Sequence, residues 1–248
     1  INEWYLDDLS QNIRKSLKNK REDGFHNLKS IMQTIDLFDI LKIKVSKFDK
    51  NEILLSGNND EIPYNESNLV YKAAKLFLDK TELDNTKIEI FIDKNIPVSA
   101  GLAGGSTDAA GTLYGLNKIF DEILSREELH ELCATLGSDL NVCLEGGCVL
   151  ATSRGEVIEK LPYDLKLPVT LIKPKKLGIS AKEAYTKYAL KENKPRYDLT
   201  EKMLEAFKNN ETINNYLYND LEYAVFDDYK ELQFIKTKLP QSIMSGSG

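Results

Sequence analysis

The sequence contains little cysteine and no long apolar run, and both absences exclude classes of protein. Its three cysteines, Cys133, Cys143 and Cys148, are odd in number and form no C-x-x-C pair. This pattern predicts reduced thiols in the core rather than disulfides or a zinc site. No apolar run is long enough to span a bilayer and no signal-peptide pattern is present, so we expect a cytoplasmic protein.

Positive charge is scarce too, which argues against a nucleic-acid binder. The 248 residues include 33 Lys and Arg against 39 Asp and Glu, giving a net charge of −6. No basic cluster stands out beyond a short run at residues 15–21, so a face for binding a phosphate backbone is not expected.

Internal repeats and low-complexity linkers are also absent, and strands alternate with helices as in a mixed α/β protein. Alternating apolar residues predict strands through residues 41–45, 53–55 and 88–92. The segment Pro168–Lys173 predicts a further strand.

Helical spacing of apolar residues predicts a helix over residues 68–78. Two capping boxes predict the starts of further helices, and a glycine predicts the end of the first of these. The capping residues are Ser125 with Glu128 and Ser180 with Glu183, and the helix-ending glycine is Gly137.

A glycine-rich stretch at residues 96–115 joins the strand predicted at residues 88–92 to a helix. Its glycines let the backbone approach an anion without interference from Cβ atoms. Hydroxyl side chains follow where the helix begins, and the unpaired N–H groups and positive dipole end of a helix start favour phosphate. The stretch predicts a phosphate-binding loop made by Gly101, Gly104, Gly105, Ser106 and Thr107.

The spacing of the glycines distinguishes this loop from two common ones. Residues 101–106 read G-L-A-G-G-S rather than G-x-G-x-x-G, and no Gly-Lys-Ser/Thr follows, which disfavours Rossmann and Walker loops. A glycine-rich turn that caps a buried helix is the alternative. The loop holds more glycines, alanines and hydroxyls than such a turn needs.

From Pro97 onward the loop resembles the second motif of the GHMP kinase superfamily, Pro-x-x-x-Gly-Leu-Gly/Ala-Ser/Gly-Ser-Ser/Ala. Lys20–Leu28, followed by Ile31–Leu37, resembles the substrate-side segment of the 4-diphosphocytidyl-2-C-methyl-D-erythritol kinases of the non-mevalonate isoprenoid pathway. This resemblance runs from about Lys20 to the last residue. Further agreement lies in Leu136–Asp139, Gly178–Ser180, Asn219–Glu222 and Met244–Gly248.

The resemblance implies an α+β, two-domain GHMP kinase fold. It implies a ribosomal-protein-S5-domain-2-like N-terminal domain over residues 1–163 and a ferredoxin-like C-terminal domain over residues 164–248. We expect the second domain to be incomplete, because the chain stops inside the family's third glycine-rich motif.

The function that the resemblance implies is an ATP-dependent kinase acting on the 2-hydroxyl of 4-diphosphocytidyl-2-C-methyl-D-erythritol. ATP and Mg²⁺ are the expected cofactors. The expected partner is this small-molecule substrate, with no nucleic acid and no membrane, and the expected assembly is a monomer or homodimer.

Phosphoryl transfer to an alcohol needs a base near the hydroxyl, and Asp139 is our candidate. It follows the predicted helix end at Gly137 in a mostly apolar stretch, where an acid without a partner is costly. The alternative is that Asp139 caps the segment that follows. Asp108 is a rival acid, but an acid in the first turn of the loop helix simply complements the helix dipole.

Further residues are expected to bind ATP. Asn68 matches the family's adenine-side asparagine, with helix capping as the alternative. Lys94 is placed to reach a phosphate, with a solvated lysine at a strand end as the alternative. Ser106 is the hydroxyl expected near Mg²⁺. The full predicted set is Asn68, Lys94, Pro97, Gly101, Leu102, Ala103, Gly104, Gly105, Ser106 and Thr107.

The predicted substrate-binding residues are Phe25, His26 and Asp139. His26 can both donate and accept hydrogen bonds to a cytosine edge, and Phe25 can stack on the base. Asn12, a predicted catalytic residue, lies on the family's Lys-x-Asn site, where Ser10 stands in place of the lysine. Losing a cation that stabilises a transition state commonly costs about a hundredfold in rate.

Two alternatives to a working kinase for this substrate stay open. The first is a catalytically impaired paralogue or a fragment that binds nucleotide. The second is a GHMP kinase for another small alcohol, such as homoserine or mevalonate.

Overall fold

The structure is a computed structural model that describes residues 28–163, 168–175, 177–191 and 196–248. The described residues form two compact units. The larger comprises Ser30–Val98 with Ala103–Val169, and the smaller comprises Thr170–Gly248 with residues 28–29 and Ser99–Leu102. The domain limits expected from the sequence remain a prediction.

The larger unit is built on a three-stranded sheet in the order β2-β4-β3. Strands β2 (Ile40–Lys47) and β4 (Thr86–Asp93) are antiparallel, with Ile43 opposite Ile90, whereas β3 (Glu52–Gly57) pairs with β4 in parallel. Every second side chain of β4 is buried, as alternation requires of a strand with one face on a core. The three strands predicted from alternation are confirmed.

Two helices cover this sheet and enclose the main core. Helix α1 (Leu69–Thr81) buries Phe77, and helix α2 (Gly104–Ile119) buries Leu113 and Leu116 against it. The helix predicted over residues 68–78 is therefore confirmed, because its apolar face packs inward as the spacing indicated.

Helix α3 (Arg126–Leu136) begins with a complete capping box between Ser125 and Glu128 and ends at Gly137, as predicted. Helix α4 (Leu140–Glu145) follows at once. The second sheet has the order β1-β5-β6. Its strands are β1 (Leu28–Gln33), β5 (Cys148–Ser153) and β6 (Val157–Lys160).

The smaller unit is helical in its described part, with a compact core that includes Ile179, Ala184 and Val225. At its first helix start, the Ser180 hydroxyl accepts from the Glu183 N–H, but the expected reciprocal bond is replaced by pairing of Glu183 with Lys187 and Tyr229. Its helices are α5 (Ala181–Leu190), α6 (Tyr197–Lys208), α7 (Asp220–Val225) and α8 (Lys230–Lys238), with a 3-10 turn at Asn214–Tyr216.

The strand predicted at Pro168–Lys173 is wrong, since these residues form no strand in the structure. Val169, Leu171 and Ile172 have exposed fractions of 46–58%. An apolar alternation becomes a strand only when a neighbour supplies hydrogen-bond partners, and no described strand lies beside this segment.

Two predictions from composition can be compared with the fold. Cys133, Cys143 and Cys148 are free thiols, as predicted. No described helix is both long enough and apolar enough to cross a bilayer.

Candidate active site

The glycine-rich loop has an unusual backbone. Ser99, Gly101 and Ala103 all take left-handed conformations, with φ of 51°, 62° and 53°, and alternate with residues of negative φ. Such alternation turns successive N–H groups toward one side and forms a concave anion-binding nest. Left-handed backbone costs a non-glycine residue about 1–2 kcal/mol, and strain of this kind is typical of functional sites.

Helix α2 begins at Gly104, directly after this nest. Its N-cap, Ala103, makes no side-chain capping bond, so the first N–H groups of the helix are free to bind an anion. Gly105 is exposed, and a Cβ at that position would meet nothing nearer than Leu69 Cδ1 at 3.8 Å. The Ser106 hydroxyl has no hydrogen-bond partner within the described part of the chain. These features fit a phosphate.

A buried ion-pair cluster lies beneath the start of α2. Lys94 Nζ pairs with Asp39 and, at 3.0 Å, with Asp108, and all three side chains are at most 5% exposed. Asp39 Oδ1 also accepts from the N–H groups of Asn95 at 2.5 Å and Ile96 at 2.8 Å. The cluster therefore fixes the chain that leads from β4 into the loop.

Two of the alternatives weighed for these residues are wrong. Lys94 is not a solvated lysine at a strand end, since its side chain is only 4% exposed and its ammonium pairs with Asp39 and Asp108. Asp108 is not in the first turn of α2, because the helix begins earlier than its sequence suggests, and its carboxylate is buried against Lys94 rather than exposed to the dipole. A contact of Lys94 with phosphate stays a prediction.

The two acids of the cluster are shifted in opposite directions. Burial raises the pKa of the Asp108 carboxyl to about 6, although Lys94 opposes the rise. Burial also acts to raise the pKa of Asp39, but hydrogen bonds from Lys94, Ile96 and Asn95 outweigh it and lower that pKa. Asp39 therefore holds the charge that Lys94 balances, and Asp108 is the acid that titrates near neutrality.

Asp139 lies at the N-cap of α4, and its side chain makes no capping hydrogen bond. Asp139 therefore occupies the capping position that the alternative predicted, but its side chain does not make the capping hydrogen bond. The side chain is accessible to solvent, yet the surrounding protein excludes enough water to raise the pKa of its carboxyl. A raised pKa suits a group that must take up a proton.

A contact between α2 and α4 sets Asp139 beside the loop helix. The Thr107 hydroxyl lies 3.3 Å from Cys143 Sγ, and the Cys143 N–H donates to the backbone oxygen of Asp139 at 3.1 Å. Burial raises the pKa of the Cys143 thiol to about 11, and the charges of Asp139 and Asp108 add to the rise. The Cys143 thiol is thus a neutral packing group, and its contact with Thr107 is one that the sequence did not indicate.

Asn68 is the N-cap of α1, so the capping alternative is confirmed. Its Oδ1 accepts from the Val70 N–H at 2.9 Å, and its Nδ2 donates to the Pro63 oxygen at 2.6 Å. One N–H and one lone pair of the amide remain, so a role toward adenine stays a prediction.

The structure brings Asn68, Lys94, Gly104–Thr107 and Asp139 into one unit around the start of α2. Three predicted site residues, Asn12, Phe25 and His26, lie outside the described residues, as does Ser10. Asp39 was missed from the sequence. No local pattern connects it to Lys94, which is 55 positions away.

Comparison with known proteins identifies the family. The family described as "GHMP kinases N terminal domain" matches residues 68–148, which include the loop and Asp139. A 4-diphosphocytidyl-2-C-methyl-D-erythritol kinase from Clostridium botulinum (strain Langeland) is 39% identical over 96% of this chain and 85% of its own length. A protein of the same name from Bacillus cytotoxicus is 40% identical over 96% and 82% of the two lengths. This chain belongs to the 4-diphosphocytidyl-2-C-methyl-D-erythritol kinase family.

A solved structure agrees with this assignment. A crystal structure of 4-(cytidine 5'-diphospho)-2C-methyl-D-erythritol kinase matches with a TM-score of 0.67 and 27% identity over 92% of this chain and 81% of that one. The predicted GHMP kinase fold is confirmed, and with it the expectation that the chain is an ATP-dependent phosphotransferase.

We predict that Asp108→Asn changes how stability depends on pH. With its pKa raised from 3.8 to about 6, folded Asp108 holds its proton more tightly than the unfolded chain does. Ionisation of Asp108 therefore destabilises the folded protein. The stability that the protonated carboxyl contributes is fully present below about pH 4 and is lost as the pH rises to about 6. Asparagine does not ionise, so Asp108→Asn does not lose this stability. Its free energy of unfolding, relative to that of the unmodified protein, should therefore increase as the pH rises over this range.

The measurement is urea unfolding of both proteins from pH 4 to pH 7. Parallel curves of unfolding free energy against pH for the two proteins would contradict a raised pKa at this site.

Proposed function

We propose that this chain transfers the γ-phosphoryl group of ATP to the 2-hydroxyl of 4-diphosphocytidyl-2-C-methyl-D-erythritol. The observation that carries the proposal is that α4, whose N-cap is Asp139, an acid of raised pKa, contacts the first turn of α2 through Cys143 and Thr107. Relatives named for this substrate support it, since they match nearly the whole chain.

The phosphates of ATP are bound by backbone rather than by a Walker-type lysine. In this proposal the N–H groups of the nest and of the first turn of α2 hold the phosphates, and the dipole of α2 adds to the attraction. Lys94 supports the loop from below, where its charge is balanced by Asp39. Asn68 meets adenine with the amide groups that its capping role leaves unused.

Mg²⁺ fits this site through the unpartnered hydroxyl of Ser106, at the point where the phosphates bind. When bound, the ion neutralises charge on the phosphate oxygens. Within the described residues no group of three or more acidic, His or Cys side chains forms a metal cage. A site with few protein ligands suits Mg²⁺, which usually keeps several waters and is held partly by the phosphates of the substrate.

Asp139 accepts the proton of the 2-hydroxyl as the oxygen attacks. Its side chain makes no competing capping bond, so the lone pairs of the carboxylate are available to the substrate. Its raised pKa brings its basicity closer to that needed at neutral pH. By the family resemblance, Phe25 and His26 are proposed to bind the cytosine and Asn12 to act in catalysis; all three lie outside the described residues.

One observation favours a slower member of the family as the second candidate. Counting back from Lys20 sets Ser10 on the position of the family's lysine, so the cation expected near the transferred group is missing. A kinase for another small alcohol has no such support, because Lys20–Leu28 carries the resemblance to the cytidine-substrate enzymes.

We predict that the purified chain releases ADP from ATP and Mg²⁺ only when 4-diphosphocytidyl-2-C-methyl-D-erythritol is present. Homoserine and mevalonate serve as control alcohols, and turnover of either in preference would replace the proposed substrate.

In the same assay Ser10→Lys should raise kcat by about a hundredfold if the missing cation limits the rate. An equal rate for the two proteins would remove the slower-member candidate.

We predict that Asp139→Asn lowers kcat by about 10²–10⁴-fold, because the amide cannot accept the proton. The KM for ATP and the melting temperature should change little, since the side chain makes no capping bond. Asp79→Asn, at an exposed site on α1, is the matched control. Loss of ATP affinity with kcat retained would show that Asp139 is not the base.

We predict that Gly105→Ala separates folding from ATP binding. The new methyl group has open space in the free protein, and alanine should stabilise the helix by about 0.5–1 kcal/mol. The same methyl would hold the phosphates away from the N–H groups, so ATP affinity should fall about tenfold or more.

Gly111→Ala adds a methyl group to α2 away from the nest and should leave ATP affinity unchanged; because its Cβ would lie 3.3 Å from Leu41 Cδ1, it is a control for affinity and not for stability. Calorimetric titration with ATP measures the affinities, and thermal melting measures the stabilities. Equal ATP affinity of Gly105→Ala and the unmodified protein would exclude phosphate from this face of the loop.

A further inference from the structure

The residues 244–248, which we call the terminal segment, pack directly on the phosphate loop. The Ser245 hydroxyl donates to the Gly101 oxygen at 2.9 Å. A Cβ on Gly101 would lie 1.9 Å from the Ser245 oxygen, and a Cβ on Gly246 would lie 2.8 Å from the Gly101 oxygen. The two backbones are thus in contact with no room for a side chain at Gly101.

Asn219 holds the terminal segment in this position. Its Nδ2 donates to the Met244 oxygen at 2.7 Å and to the Gly246 oxygen at 2.8 Å, on either side of Ser245. Its Oδ1 accepts from the Leu221 N–H at 2.9 Å and so caps α7. Both N–H groups of the amide and one lone pair are therefore used.

A second side chain from the same helix strengthens this arrangement. Glu222 Oε1 accepts from the Met244 N–H at 2.7 Å, while its Oε2 pairs with Lys236 at 3.1 Å. Met244 is thus bound at its N–H by Glu222 and at its oxygen by Asn219. The start of α7 fixes the backbone that carries Ser245.

Gly101 lies between Ser99 and Ala103, two non-glycine residues that the loop holds in strained left-handed conformations. Backbone strain of this kind persists only where the surroundings over-determine it. We propose that Asn219 is a positioning residue for ATP: through the terminal segment and Gly101 it holds the anion nest in its phosphate-binding shape. The choice of ATP as the ligand rests on the proposed function. The effect of Asn219 on the loop does not depend on that function.

The variant Asn219→Asp separates this role from helix capping. Aspartate caps a helix as well as asparagine does, so the bond to Leu221 is retained. Both donors are lost, and the carboxylate faces the Met244 and Gly246 oxygens instead. Asn219→Ser, which keeps an acceptor without adding charge, is a second variant in case Asn219→Asp does not fold. Asn215→Asp, at an exposed site in the same unit, has the same charge change.

Two measurements test the proposal. Hydrogen exchange of the peptide covering residues 99–106, in the protein without nucleotide, should become about tenfold faster in Asn219→Asp and remain unchanged in Asn215→Asp. The Kd for ATP with Mg²⁺ should rise about tenfold, while the KM for the cytidine substrate stays within twofold.

Unchanged exchange in the loop would overturn the positioning role, whatever the ATP affinity. Faster exchange throughout the smaller unit, including α5 and α6, would also overturn it by showing a general loss of stability. Failure of the unmodified chain to transfer phosphate would count against the proposed function alone, because the exchange measurement needs no turnover.

Discussion

The pairing of one buried ammonium with two buried carboxylates is the interaction on which the site depends. Lys94 follows the central strand of the sheet, Asp39 precedes the strand beside it, and Asp108 lies in the helix that covers them. Removing one partner from a buried pair commonly costs about 3–5 kcal/mol, because the remaining charge is left without compensation. Sheet, loop and helix are therefore joined at the point where phosphate is expected to bind.

This cluster explains how a strained loop follows a rigid sheet. Asp39 binds the two N–H groups just after Lys94, so the chain enters the loop in a fixed direction. The left-handed residues begin only three positions after Ile96. An anchored entry and an anchored helix start leave the residues between them little freedom, which is how left-handed Ser99 and Ala103 can be retained.

Local patterns predicted much of the larger unit. The alternation in β4, the cap of α3 and the glycines of the loop each depend on neighbours within a few residues, so the sequence alone is enough to find them. Contacts between distant residues were not accessible in this way. Asp39 has no local signal for its pairing with Lys94, and Ser99 and Ala103 are residue types that rarely indicate left-handed backbone.

The strand predicted at Pro168–Lys173 failed for the same physical reason, since a strand depends on a neighbour elsewhere in the chain. For Asp139 the local sequence allowed either a cap or a base. In the structure its side chain makes no capping bond and burial raises the pKa of its carboxyl, while its role as the base stays a proposal.

The contact between Ser245 and Gly101 has a consequence for the newly made chain. The two residues are 144 positions apart, and the loop lacks its backbone support until the later one has been made. Synthesis at about 5–20 residues per second needs roughly 7–30 seconds to cover that distance. The sheet and helices of the larger unit can form during this time, whereas Gly101 gains its contact with Ser245 only after residues 244–248 have been made.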